Sequence, residues 1–248
     1  MGKGTFDVLV LIGRPASGKS EIIDFLQHVP PDVRRRRFHI ADLDVLDDFP
    51  LLWTWFEEDR LLSERLGQPK LYTGADGHFQ QPYFWHLLLE RLSLEYHKRR
   101  RDNPHYHDHT TTLVEFARGS EHGGYAEAFK HLADELLQRA AVVYVQVSFA
   151  ESLRKNRRRF NPQRPDSILE HAMTDEVLTR LYREDDWATL SAGDPHFLTL
   201  RSSRVPYVVF ENEDDVTTGQ PDLLAARLEA VLGQLWKLRQ NLQLPSLS

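Results

Sequence analysis

The chain of 248 residues carries 31 Lys and Arg against 37 Asp and Glu, and its net charge of −6 argues against a nucleic-acid coat or an anionic membrane surface as partner. The absence of cysteine excludes disulfides, thiol nucleophiles and cysteine-based zinc sites. A hydrophobic content of 41% supports one sizeable core, no apolar run approaches the ~20 residues of a membrane-spanning helix, and the stretch after Thr5 is too short for a signal peptide. A single domain over residues 1–248, soluble and cytoplasmic, is the expectation.

The apolar run Phe6-Asp7-Val8-Leu9-Val10-Leu11-Ile12 predicts a buried strand. It leads into Gly13-Arg14-Pro15-Ala16-Ser17-Gly18-Lys19-Ser20, which fits the phosphate-loop pattern G-x-x-x-x-G-K-[ST]. The glycines let backbone N–H groups turn inward on a polyphosphate, Lys19 reaches its β- and γ-phosphates, and the Ser20 hydroxyl completes a Mg²⁺ shell. Glu21 to Leu26 opens a helix over about 18–28, whose amino-terminal dipole favours phosphate. Residues 13–21 therefore predict a grip on a nucleoside triphosphate.

Downstream, strands are predicted at 37–41, 110–116, 141–147 and 205–210, each short and rich in β-branched or aromatic residues. Pro206 sits at the opening of the last, a tolerated place. Helical patterns at about 43–66, 81–101, 123–139, 150–160, 174–187 and 221–240 separate or follow them. In the last, Leu224, Leu228, Val231, Leu235 and Leu238 recur at helical spacing. Residues 67–81, bracketed by glycines and prolines, read as a flexible loop. The alternation predicts an α/β fold with a doubly wound, five-stranded parallel sheet. In such sheets ligands bind beyond the carboxyl ends of the strands, which singles out Asp42 and Asp44, Glu115 and Arg118, Arg154 to Arg159, and Glu211 to Asp215.

On these residues the chain resembles the adenylate-kinase-like P-loop kinases, which phosphorylate nucleotides, nucleosides and other small acceptors. The octet is the motif that carries the resemblance; the rest of 5–240 matches as architecture. The resemblance implies an acceptor-covering insertion at about 43–105 and a lid-like segment at about 150–190. It implies ATP with Mg²⁺, and an acid at the end of the second strand that takes the acceptor proton, Asp42 or Asp44. Glu115 would hold Mg²⁺ or its water, in place of the more usual Asp, and Asp42 is the alternative for that role. Arg118 would contact substrate or phosphate, and the lid cations Arg154 and Arg158, on one helix face with Arg157, would stabilise the transferring group. Arg183 would add a charge. The implied function is transfer of the γ-phosphoryl group to a small molecule, foremost a nucleoside or nucleotide. The alternative is a nucleotide-dependent switch or ATPase without such an acceptor.

A GTPase would show N-K-x-D after the fifth strand, whereas Asn212-Glu213-Asp214-Asp215 puts Glu at the Lys position. The basic runs Arg34 to Arg37 and Lys98 to Arg101 read as solvated helix or strand ends, the latter complementing a helix dipole. His105, His107 and His109 alternate as strand-face metal ligands would, but read as loop or strand-edge residues. Aromatics crowd 49–56 and 79–85, suiting a planar acceptor or, more plainly, core packing.

Overall fold

Every position of β1 (Val8–Gly13) is buried, as a central strand covered on both faces requires. The computed structural model describes residues 4–75, 77–159 and 173–243. Within them β1 pairs in parallel with β3 (Thr110–Phe116) and β4 (Ala140–Gln146). β2 (Asp42–Asp47) lies outside β3, and β6 (Ser203–Glu211) outside β4. β5 (Phe197–Leu200) pairs antiparallel with β6, giving the order β2-β3-β1-β4-β6-β5. The expected five parallel strands are therefore joined by a sixth, antiparallel one. Its turn contains no glycine and instead places Arg201 at φ 53°, so the usual sequence mark of a hairpin is missing. Pro206 is inside β6, one residue before pairing with β4 begins at Tyr207.

The helices are α1 (Lys19–His28), α2 (Pro31–Phe38), α3 (Asp48–Arg65), α4 (Tyr83–Asp102), α5 (Tyr106–His109) and α6 (Gly124–Lys130). They continue with α7 (Asp134–Arg139), α8 (Phe149–Arg159), α9 (Asp175–Tyr182), α10 (Trp187–Ser191) and α11 (Pro221–Gln243). The period-two alternation of β1 divides the core into two layers. Leu9 and Leu11 meet Ile22 and Leu26 of α1, Phe38 of α2, and Leu224, Leu228, Leu232 and Leu235 of α11. Val8, Val10 and Ile12 meet Leu89, Leu92 and Tyr96 of α4, with Phe129, Leu136 and Trp187. On α11, Val231 and Leu238 are only partly buried, and Leu232 takes the place beside Leu228.

The largest departure from the sequence reading is at 37–41. Pro31 occupies the first turn of α2, where its missing N–H costs nothing. Arg34 is buried, and its guanidinium donates to the carbonyls of Leu26, Val29 and Ala41, so the arginine run is helical. His39 ends the helix at φ 55°, and the strand begins only at Asp42. Asp47 then caps α3, accepting from the Phe49 N–H at 2.9 Å.

The expected helices at 123–139 and 174–187 are each broken in two. The lid-like segment 150–190 comprises α8, α9 and α10, with residues 160–172 outside the described ones. The loop expected to be flexible is tied down instead. Asp59 is 1% exposed and accepts from the N–H groups of Leu71, Tyr72 and Thr73 and from the Thr73 hydroxyl, while Thr73 and Phe79 form a bridge. Those N–H bonds favour the charged carboxylate and hold the Asp59 pKa below its ordinary value despite burial. The nearby aromatics serve this packing: Trp55 stacks on Tyr72 at 4.9 Å and contacts Phe79 and Phe84.

Candidate active site

The loop between β1 and α1 has the tight geometry that its glycines make possible. A Cβ on Gly13 would lie 2.6 Å from the Val145 carbonyl, and one on Gly18 2.5 Å from Asn212 Nδ2; both residues have positive φ, at 155° and 109°. Asn212, fully buried just after β6, donates to the Ser17 carbonyl at 2.7 Å and to the Thr217 hydroxyl at 2.9 Å. Ser152 of α8 donates to the Pro15 carbonyl at 2.7 Å. The Arg14 side chain reaches to the segments after β4 and α9. It pairs with Asp185 at 2.8 Å and donates to the carbonyls of Val147, Tyr182 and Arg183.

At the mouth of this loop, buried charges converge. Lys19 Nζ donates to the carbonyls of Gly13 (3.2 Å) and Arg14 (3.0 Å) and lies 3.8 Å from Glu115 Oε1. The Ser20 hydroxyl donates to the same carboxylate oxygen at 3.4 Å. Asp47 and Glu115 are register partners at the ends of β2 and β3. Burial, then repulsion from Glu115 and Asp48, pushes the Asp47 carboxyl up to about 8. Burial raises Glu115 as well, with Lys19 opposing, and lowers Lys19, with Glu115 opposing.

A Mg²⁺–triphosphate fits this donor set. Ser17 Oγ and Glu21 Oε2 are buried without a hydrogen-bond partner. Two neighbouring carboxyls held toward neutrality are what a cation would recharge. Ser20 and Glu115 would hold the ion, with the loop and Lys19 on the phosphates.

The raised Asp47 carboxyl has a consequence for stability. The folded state binds this proton more tightly than the unfolded chain, so the contribution is complete below about pH 4 and is lost as pH rises through about 8. The melting temperature of the nucleotide-free wild type should therefore fall between pH 5 and 9 more steeply than that of Asp47→Asn. Scanning calorimetry of the two proteins checks this; equal slopes would refute it.

The other expected site residues are distributed differently. Asp42 opens β2 opposite Thr110, at the amino-terminal edge of the sheet, its side chain 62% exposed and 3.6 Å from both Arg34 and Arg35. Asp44 pairs with Arg99 at 2.5 Å and accepts from the Tyr106 hydroxyl. Neither joins Glu115, because the strand begins at Asp42 instead of ending before it. Arg118 is 2% exposed and bonds Asp48 (2.6 Å) and the carbonyls of Ala117 and Trp85, so it positions Asp48.

Arg154 (3.0 Å) and Arg158 (3.4 Å) share the carboxylate of Asp215 with buried Lys155 (2.7 Å), and Arg154 also holds Glu151. Asp215 draws them to the loop after β6. Arg157 pairs with Asp175, and Arg183 lies over the Phe149 ring. At the end of α8, Arg159 is close enough for its charge to act on Lys19 and Glu115. His105 and His107 belong to the start and body of α5, where His105 pairs with Asp108 and His107 with the Tyr96 hydroxyl.

Sequence reasoning thus missed Asp47 and Asp48, and gave Asn212 and Arg159 no role although both lie in segments it singled out. The available signal for the first was its place directly before the helix, where Asp is a preferred cap. Asp47 also borders a cleft of about 500 Å³ between β2, α3 and α4, lined by Pro50, Leu51, Thr54, Arg91, Leu92 and Glu95 among others.

No protein-family model matches the chain, and a search of curated proteins finds no match. Among solved structures, a gluconokinase from Sinorhizobium meliloti 1021 is similar at 16% identity, covering 96% of this chain and 97% of its own, with a TM-score of 0.42. A sugar kinase from Janibacter sp. HTCC2649 is 12% identical over 94% of this chain and 98% of its own, with a TM-score of 0.41. A shikimate kinase from Acinetobacter baumannii is 14% identical over 71% and 76%, with a TM-score of 0.29. Scores at this level do not speak to chemistry, which is read from the side chains. No described helix is long and apolar enough to cross a membrane.

Proposed function

We propose that the chain is an ATP- and Mg²⁺-dependent kinase that transfers the γ-phosphoryl group to a small-molecule hydroxyl or phosphate, a nucleoside or nucleotide in first place. The observation that carries this reading is the convergence of Lys19, Ser20, Glu115 and Asp47 at the carboxyl ends of β1, β2 and β3. Phosphoryl transfer needs little covalent help from the protein; it needs positioning and charge neutralisation.

Inward N–H groups of the Gly13–Ser20 loop and the amino end of α1 would cradle the phosphates. Lys19 would leave the carbonyls of Gly13 and Arg14 for the β- and γ-phosphate oxygens. Ser20 and Glu115 would ligate the metal, which supplies charge neutralisation on the triphosphate. Asp47, next to the cleft, would accept the acceptor hydroxyl proton, and Arg159 would add positive charge over the loop. With a cation bound nearby, Asp47 would be held as the carboxylate that this role demands. The cleft volume suits a nucleoside, its apolar Leu51 and Leu92 suiting a base and its Arg91, Glu95 and Thr54 a sugar or phosphate.

The test is ADP release from Mg²⁺–ATP against a panel of nucleosides, nucleoside monophosphates, sugars and aminoglycoside-like alcohols. Release only with nucleosides or nucleotides supports the full reading. Release with another class keeps the kinase and replaces its acceptor, whereas acceptor-independent release, or none, overturns the kinase in favour of an ATPase or a switch.

A further inference from the structure

On the face of the sheet covered by α4 and α6, two helical i, i+4 pairs meet. α4 contributes His86 and Glu90; α6 and the residue that ends it contribute Glu127 and His131. Residues four apart project from one side of a helix, so each helix offers one imidazole and one carboxylate to the other. One ligand atom each from His86, Glu127 and His131 lie within 4.8 Å of one another.

A second carboxylate and a fastened backbone surround these three side chains. Glu90 accepts from His131 Nδ1 at 3.0 Å, and His131 Nε2 faces Glu127 at 3.6 Å. With the Nδ1 proton engaged by Glu90, the Nε2 lone pair is left for a ligand, the arrangement by which an outer carboxylate orients a metal-binding imidazole. Lys130 engages only the other oxygen of Glu127, at 2.6 Å. Ser93 of α4 accepts from the Ala133 N–H and donates to the His131 carbonyl, so the backbone that carries His131 is already fastened to α4.

His86 Nδ1 is buried with no hydrogen-bond partner. The two imidazoles stack at 4.4 Å, 14° from parallel. A shared ion requires one ring to turn until both in-plane lone pairs converge, and a turn of His86 breaks no bond at Nδ1.

We propose that His86, Glu127 and His131, with Glu90 orienting His131, bind a divalent transition ion of the zinc class at a site separate from the phosphate loop. Two imidazoles and one carboxylate suit Zn²⁺ or Co²⁺, and not Mg²⁺ or Ca²⁺, which take oxygen ligands. The ion would staple the start of α4 to the end of α6.

Co²⁺ is titrated into the full chain, purified without a histidine tag, in the presence of Mg²⁺ and ADP so that Mg²⁺ competes at the phosphate loop. The expected result is a one-to-one complex with the intense visible band of a four- or five-coordinate ion, displaced by Zn²⁺. The band should vanish in His86→Ala and His131→Ala, persist in His105→Ala, and require about 10-fold more Co²⁺ in Glu90→Gln. Glu127→Gln, a replacement of nearly equal volume at a half-buried position, weakens binding without disturbing packing, and circular dichroism confirms that each variant is folded. Absence of the band in the wild type, or its survival in folded His86→Ala and Glu127→Gln, overturns the proposal.

Discussion

Lys19→Ala is expected to lower phosphoryl transfer by about 10³-fold, the scale on which loss of one preorganised charge at a transferring group is felt. The effect on folding should be small and of mixed sign. Lys19 is buried and its pKa is lowered by desolvation, so removal relieves a penalty while depriving Glu115 of its cation at 3.8 Å. The Ser20 hydroxyl remains on Glu115, and the loop keeps its bonds from Asn212 and Ser152. Steady-state kinetics beside a thermal melt checks this: a variant with wild-type turnover would remove the phosphate-loop assignment, and one that fails to fold would show that the lysine is structural.

Asp47→Asn should reduce kcat by about 10³-fold, within the span measured for positioned acid–base groups, with ATP affinity nearly unchanged. Asn retains the helix cap, since its carbonyl oxygen can accept from the Phe49 N–H as Asp47 does. It also imitates the protonated carboxyl that burial already favours in the nucleotide-free protein, so the fold is preserved while proton acceptance is lost. Asp42→Asn and Asp44→Asn are the contrast. Their carboxylates serve Arg34 and Arg35, and Arg99 and Tyr106, and their rates should stay within a few-fold of wild type. An Asp44→Asn loss matching that of Asp47→Asn would overturn the assignment of the base.

The three acids of β2 were exchangeable in the sequence because β2 is an edge strand. Its first residues, Asp42 and Asp44, carry the same chemistry as Asp47, and only pairing with β3 decides which one stands beside Glu115. The upstream arginines could continue a strand or close a helix. Pro31 and the bonds from Arg34 to the carbonyls of Leu26, Val29 and Ala41 decide for helix, and so displace the strand start to Asp42. A shift in such a boundary changes which residues reach the ligand edge, and a one-residue slip reverses the faces. Arg154 and Arg158 show the same limit: the sequence places them on one helix face, but their partner Asp215 is on the loop after β6.

What the sequence by itself determined is local. The Gly13–Ser20 loop, the buried run of β1 and the acid ending β3 at Glu115 are each specified by neighbours within a few residues, through turn geometry and continuous hydrophobicity. Only the tertiary structure decided that Asp47 stands beside Glu115, that Arg118 holds Asp48, and that His86 meets His131. Those pairings join residues far apart in the chain, and their cost in loop closure is met by burial and sheet pairing across the whole domain, which no single segment encodes.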